Sequence, residues 1–222
     1  MANNSLQNEL GRLREDLLKM GRLLQQQVYN AVKALVDKDL ELARQVIEND
    51  DLIDDLELDI EKRSLGLIAL KQPLARDLRL IASIFRIIID IERMADHAED
   101  IAQIAQDLHE QAYIKPLIDI PRMAVIAQNM LEIALKSFIE ENCDLAMSLV
   151  SFEKELDGLY EQVFNELLLY MMRDQRNIPQ ATALLLVAGH LERIGDHATN
   201  IAEMVVYVVD GKRIDLNRIS RV

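Results

Sequence analysis

ERMADHAEDIA, residues 92–102, returns one hundred residues later as ERIGDHATNIA, residues 192–202, with seven of the eleven positions identical. A second match lies upstream at an offset of 103, where residues 39–50 align with residues 142–153. Self-similarity at a long and nearly constant spacing indicates a repeated structural unit. Because the two matching segments recur in the same order, the sequence predicts two copies of one unit.

Helical periodicity dominates the chain around these motifs. Apolar residues recur at steps of three and four almost throughout, and the four prolines fall where that pattern lapses. The chain has no Trp, four Phe and five Tyr, which leaves little material for a strand-rich fold. The predicted fold class is therefore all-α, with two tandem, pseudo-repeated three-helix bundles made of six long helices. These helices are predicted at residues 5–36, 40–71, 74–111, 121–141, 144–172 and 180–210.

The repeat also predicts the domain organisation. We expect a first bundle over residues 1–112, a linker over 113–120, a second bundle over 121–211 and a C-terminal tail over 212–222. Gly211 is the predicted stop of the last helix, because glycine readily adopts the left-handed conformation found at helix C-termini.

Composition and charge exclude several functional classes. The 222 residues include 38 acidic and 25 basic side chains, and the net charge of −13 opposes non-specific attraction to nucleic acid or an anionic membrane. The single cysteine, Cys143, excludes an intramolecular disulfide, and the N-terminal residues lack a signal-peptide pattern. The apolar runs are too short and too often interrupted by charges to span a bilayer. We therefore expect a cytoplasmic protein.

Acidic residues spaced four apart occur four times in the chain. The pairs are Asp50 with Asp54, Glu92 with Asp96, Glu153 with Asp157, and Glu192 with Asp196. Residues four apart share one face of a helix, and like charges at that spacing repel each other. A protein that repeats this arrangement needs something to offset the repulsion, and a bound cation would do so.

Two of these acids also lie on apolar stripes. Asp50 continues the stripe that contains Val46 and Ile53, and Glu153 interrupts the matching stripe of the second unit. A carboxylate that faces a core is costly unless it is protonated, paired with a base or bound to a metal. Converging carboxylates favour hard or borderline cations such as iron, manganese, magnesium or zinc. The alternative is that the acid-rich segment 48–61 is a solvated helix face.

The residues beside the pairs carry weaker signals. Asp100 and Asn200, one turn further along, are predicted to add metal ligands. Arg93 and Arg193 are predicted as salt-bridge partners of the neighbouring carboxylates. Three histidines complete the region: His97 and His197, one step off the acidic face, are expected outside the ligand shell, and His190 is expected in the core.

At these residues the sequence resembles the PhoU family of phosphate-uptake regulators, over nearly the whole chain. Members of that family have tandem three-helix bundles with E(D)xxxD motifs, which segments 50–54, 92–96, 153–157 and 192–196 match. The resemblance implies that the four pairs hold two metal clusters, of iron or zinc, on the bundle surface. Since Asn200 replaces Asp100 in the second repeat, the second site is expected to hold fewer metals or to hold them more weakly.

The resemblance also implies regulation without enzymatic turnover. PhoU-like proteins restrain the high-affinity phosphate ABC transporter and keep a membrane sensor histidine kinase in its repressing state when phosphate is plentiful. For this chain the implied partners are the ATP-binding subunit of the transporter, the kinase and a second copy that forms a homodimer. Association with the membrane would be peripheral, through these proteins, and no nucleic acid is expected to bind. Long helices with an acidic surface suit docking to basic partner patches.

Three other functional classes remain open on the sequence. A di-iron carboxylate enzyme also places glutamates inside a helical bundle, but its signature is Glu-x-x-His on two helices. Ala95 and Gly195 lie where those histidines should be, which argues against that class. A metal-free helical scaffold with solvated acids is the second alternative, and a metal store, for which the number of acidic sites is small, is the third.

Overall fold

The structure, a computed structural model, describes residues 2–220, with side chains described for residues 5–218. Over these residues it is helical with no strand, which confirms the all-α fold class. The helices are α1 (Ala2–Asp37), α2 (Leu40–Glu48), α3 (Asp51–Lys71), α4 (Ala75–Leu108), α5 (Asp119–Glu140), α6 (Cys143–Met147), α7 (Leu149–Arg173), α8 (Ile178–Asp210) and α9 (Leu216–Ser220). Within this part of the chain, no helix is both long and apolar enough to cross a membrane.

The second helix predicted for each repeat is broken near its start. In the first repeat, the Asn49 amide closes α2 by donating to the Gln45 carbonyl oxygen at 3.1 Å, and α3 begins two residues later. In the second repeat, Ser148 separates α6 from α7. The predicted helices over residues 40–71 and 144–172 are therefore not continuous.

Helix ends follow the local chemistry of their residues. The side chains of Asp39 and Asn142 cap α2 and α6, and each accepts a hydrogen bond at 3.0 Å from the backbone amide three residues further on. Gly211 ends α8 with φ at +72°, as predicted, because glycine adopts this left-handed conformation without the steric cost of a Cβ atom.

The two repeats pack against each other through α4 and α8. Three contacts, which step in opposite directions along the two helices, show that these helices are antiparallel: Arg79 with Val208, Asp90 with His197, and His97 with His190. Buried aliphatic side chains from both repeats form one continuous hydrophobic core, to which α1 and α5 also contribute. The repeats are thus joined along their lengths, and the predicted domain boundaries remain a prediction.

The segments between and after the long helices are packed onto the bundle. In the predicted linker over 113–120, the Tyr113 hydroxyl donates a hydrogen bond to the Leu35 carbonyl oxygen. In α9, Leu216 is fully buried and its amide donates to Glu203 Oε1 at 2.8 Å. The sequence indicated only a charged tail here, whereas α9 belongs to the fold and covers part of the second repeat.

Candidate metal centre

Carboxylates from the start of α3 and from α4 face one another in the first repeat. This group, here called the first acidic cluster, consists of Asp50, Asp54, Glu57, Glu92, Asp96 and Glu99, all of them half-buried. Their repulsion acts across the two helices. Asp96 and Glu99 of α4 raise the pKa of Asp50, and Asp54 and Glu57 of α3 raise the pKa of Glu92. The structure thus brings the two predicted acidic pairs of this repeat together.

Asp50 is a strongly perturbed member of the first acidic cluster. Burial, followed by repulsion from Asp54, Glu99 and Asp96, raises the pKa of Asp50 to about 6, and the Gln27 side chain lowers it only in part. The Oδ1 atom of Asp50 is shielded from solvent and has no hydrogen-bond partner among the described residues. A carboxylate oxygen in this setting is costly when ionised, and either a proton or a cation stabilises it.

Arg93 contacts two acids of the first acidic cluster from its exposed side. Its Nε atom is 3.3 Å from Glu92 Oε2, and its Nη1 atom donates to Asp96 Oδ2 at 3.0 Å. The salt bridge predicted for Arg93 is confirmed, while that of Arg193 remains a prediction. Burial nevertheless raises the pKa values of Glu92 and Glu57 above their ordinary values, although Arg93 opposes this shift for both residues. The single positive charge of Arg93 therefore does not neutralise the negative charge of the cluster.

Two members of the first acidic cluster were missed in the sequence. Glu57 lies three residues after Asp54, and Glu99 lies three residues after Asp96. Residues three apart share a helix face just as residues four apart do, so this spacing was the available signal. Six carboxyl groups make a donor set of hard oxygen atoms, which fits magnesium, manganese, iron or zinc.

The corresponding acids of the second repeat, here called the second acidic cluster, are Glu153 and Asp157 on α7 and Glu192 and Asp196 on α8. Glu153 is 3% exposed, and the Thr199 hydroxyl donates to its Oε2 atom at 2.8 Å. The Asn217 amide of α9 adds a second donor, with its nitrogen 3.0 and 3.3 Å from the two Glu153 oxygens. In the reverse orientation this nitrogen is 3.4 Å from Asp196 Oδ1. We assign it to Glu153, since two shorter contacts outweigh one longer contact.

The two clusters differ in the residue that faces Asp50, just before α3, and Glu153, in the first turns of α7. Glu99 of the first repeat corresponds to Thr199 of the second. Glu99 repels Asp50, whereas Thr199 donates a hydrogen bond to Glu153. The first acidic cluster therefore carries an additional negative charge where the second carries a donor, and it has the greater need of a cation.

Asp100 and Asn200 lie in the α4–α8 interface rather than beside the acidic pairs. Asp100 Oδ2 is 3.5 Å from His190 Nδ1, and Asn200 Nδ2 donates to Asp90 Oδ1 at 3.1 Å. Each step of four residues turns a side chain by about 40° around the helix axis, so two steps from Glu92 carry Asp100 towards α8. Both residues thus contact side chains of the α4–α8 interface, and their role as ligands beside the acidic pairs remains a prediction.

Comparisons with known proteins show the same repeat. The PhoU domain family matches the chain twice, over residues 17–105 and 120–205. The phosphate-specific transport system accessory protein PhoU homolog of Clostridium acetobutylicum is 36% identical to this chain over 218 residues, which cover 98% of this chain and 100% of that protein. The similarity therefore extends over both repeats.

Two crystal structures have the same fold. PhoU from Pseudomonas aeruginosa has a TM-score of 0.89 to this chain at 40% sequence identity, with 93% of this chain and 99% of that chain covered. The phosphate transport system regulatory protein PhoU from Streptococcus pneumoniae has a TM-score of 0.87 at 32% identity, with 95% and 99% covered. The two domain matches, the sequence identity of 36% over nearly the full length of a relative and the shared fold establish that this chain belongs to the PhoU family.

Proposed function

We propose that this protein regulates phosphate uptake and phosphate-starvation signalling as a metal-binding adaptor in the cytoplasm. Family membership supports the phosphate part, since a relative and a structural neighbour are both named for phosphate transport. In the proposal, the protein represses the phosphate regulon when phosphate is plentiful. It does so through the ATP-binding subunit of the phosphate ABC transporter and through a sensor histidine kinase, as a homodimer that binds its partners without turnover.

The first acidic cluster is the observation that supports the metal part. Asp50, Asp54, Glu92 and Asp96 would hold a cation, iron or zinc in this proposal, and its positive charge would replace the proton that Asp50 otherwise favours. The same charge would offset the repulsion between the start of α3 and α4. The second acidic cluster would form a second, weaker site, because its Glu153 already accepts hydrogen bonds from Thr199.

Cation binding gives this surface two states that a partner protein can distinguish. With the cation bound, the charge of the surface falls and α3 is held to α4. Without it, the surface is strongly acidic and the two helices repel each other. A partner that binds one state better than the other couples its own binding to the cation, because such coupling is reciprocal. Basic patches on the transporter subunit or the kinase would favour the acidic state.

Deletion of the gene tests the regulatory role. A reporter driven by a phosphate-starvation promoter is expected to be silent in phosphate-rich medium in the parent strain and active in the deletion strain. Expression of the wild-type protein should silence it again. A reporter that stays silent after deletion would refute the proposed repression.

A complementation series then tests the metal part separately. The double variant Asp50→Asn, Asp96→Asn is expected to accumulate normally but to leave the reporter active. Glu48→Gln is the matched control, because Glu48 is an exposed acid two residues before Asp50, and it should silence the reporter. Full silencing by the double variant would remove the metal from the mechanism and leave the phosphate role standing.

A further inference from the structure

Two imidazoles and one carboxylate meet in the α4–α8 interface, outside both acidic clusters. His97 and Asp100 lie three residues apart on α4, and His190 reaches them from α8. One ligand atom from each residue, Nδ1, Oδ2 and Nδ1, can be chosen so that all three lie within 4.8 Å of one another. The imidazoles are half-buried and their ring centroids are 5.2 Å apart. This group joins the first repeat to the second.

The distances within this group match those of a metal ligand set. The two Nδ1 atoms are 3.3 Å apart, and Asp100 Oδ2 is 3.5 Å from His190 Nδ1 and 3.9 Å from His97 Nδ1. In a tetrahedral zinc site with bonds of about 2.0–2.1 Å, neighbouring ligand atoms are about 3.3–3.4 Å apart. Two of the three edges already have nearly this length. The third shortens when Asp100 rotates, and its side chain is 47% exposed.

The equivalent positions of the other repeat are joined by hydrogen bonds instead. Asp90, His197 and Asn200 lie exactly one hundred residues from His190, His97 and Asp100, in that pairing. There His197 Nδ1 donates to Asp90 Oδ1 at 2.8 Å, and the Asn200 amide donates to the same oxygen at 3.1 Å. Those three residues satisfy one another with hydrogen bonds. Between His97 and His190, by contrast, two Nδ1 atoms face each other, and only one of them can donate a hydrogen bond to the other.

The chemistry of the imidazole nitrogen indicates which cation this group of residues would prefer. Neutral imidazole is the form that coordinates metals, and its nitrogen favours borderline cations such as Zn²⁺ over Mg²⁺ or Ca²⁺.

We propose that His97, His190 and Asp100 bind one divalent cation of zinc type, separate from the acidic clusters. Two imidazoles and a carboxylate are a common ligand set for zinc, with a fourth position left to solvent or a partner group. The cation ties α4 of the first repeat to α8 of the second. None of its three ligands belongs to either acidic cluster, and the proposal does not rest on the proposed phosphate function.

Imidazole NMR of the full-length, ¹⁵N-labelled and chelator-treated protein tests the proposal residue by residue. The chain has four histidines, so substitution of each by Gln assigns the spectrum. On titration with ZnCl₂, the Nδ1 resonances of His97 and His190 are expected to shift together, while those of His109 and His197 stay in place. MgCl₂ should not reproduce the joint shift of the two Nδ1 resonances, because imidazole nitrogen is a poor ligand for Mg²⁺. Zinc that binds without moving either resonance would overturn the site and leave the acidic clusters as the binding location.

Variants test whether the three residues act as one site. His190→Gln is expected to abolish the zinc-induced shift at His97, and Asp100→Asn should weaken the zinc affinity read from His97 by about tenfold or more. His109→Gln is the matched control and should change neither. If His97 shifts equally in the His190→Gln protein, the two imidazoles do not share an ion and the proposal is wrong. Circular dichroism confirms that each variant is folded, and His190→Asn serves if His190→Gln is not.

Discussion

Replacement of Asp50 by Asn in the metal-free protein is expected to stabilise the fold at neutral pH. The pKa of Asp50 is raised from 3.8 to about 6, chiefly by burial. A carboxyl group with a raised pKa binds its proton more tightly in the folded protein, so its ionisation favours unfolding. The penalty is absent below pH 3.8, grows from there to about pH 6, and stays constant at higher pH. Asparagine carries no such penalty.

The size of this effect follows from the two pKa values. A change from 3.8 to about 6 is equivalent to about 3 kcal/mol at 1.36 kcal/mol per pKa unit. Asp50 is only half-buried, so solvent screening reduces this value. We expect Asp50→Asn to raise the free energy of unfolding by about 1 kcal/mol above pH 6. For a chain of this size, that corresponds to a rise in melting temperature of about 2–4 °C.

Thermal unfolding followed by far-UV circular dichroism, in chelator at about pH 4 and about pH 7.5, measures the difference. Asp50→Asn should be the more stable protein only at the higher pH, and the exposed control Glu48→Gln should remain within about 0.5 kcal/mol of wild type. Saturation with a binding cation should reverse the order, because wild type gains about 2.7 kcal/mol at one hundred times the dissociation constant. An Asp50→Asn protein that is no more stable than wild type at the higher pH would refute this reasoning.

Three further changes test other parts of the structure. Thr199→Val is expected to lower the free energy of unfolding by about 1–3 kcal/mol in denaturant, because buried Glu153 loses a donor, whereas Thr199→Ser keeps it. Gly195→Ala is expected to lower the free energy of unfolding by about 1 kcal/mol, because the clash of the added Cβ with Leu156 Cδ2, 2.4 Å away in the core, outweighs the gain in helix propensity; an unchanged denaturant midpoint would contradict this packing. Burial raises the pKa of Tyr113 to about 12, so Tyr113→Phe should remove a phase with that midpoint from the absorbance titration of tyrosine.

The sequence was sufficient to predict the helical fold and four of the six acids of the first acidic cluster. The spacing of four residues within each pair, together with the repeat, placed Asp50 and Asp54 opposite Glu92 and Asp96, and the structure brings these residues together. Periodicity identifies which residues share a face of one helix. That information is local. It is enough to predict a shared site when two helices of one short unit pack with their acidic faces towards each other.

Much of what the sequence left out depends on contacts between distant parts of the chain. His97 and His190 are 93 positions apart, and periodicity alone does not indicate that α4 packs along α8. The donor that Asn217 provides to Glu153 comes from α9, whose five residues are too few to show a helical pattern. The helix break at Asn49 has no glycine or proline beside it, so the usual sequence signal for the end of a helix is absent there.

Anomalous diffraction from crystals of the protein loaded with zinc or iron tests the central claim most directly. The account predicts a peak between the start of α3 and α4, within bonding distance of the carboxylates of Asp50, Asp54, Glu92 and Asp96. A loaded crystal with no peak there, in which these carboxylates contact only solvent and Arg93, would contradict it.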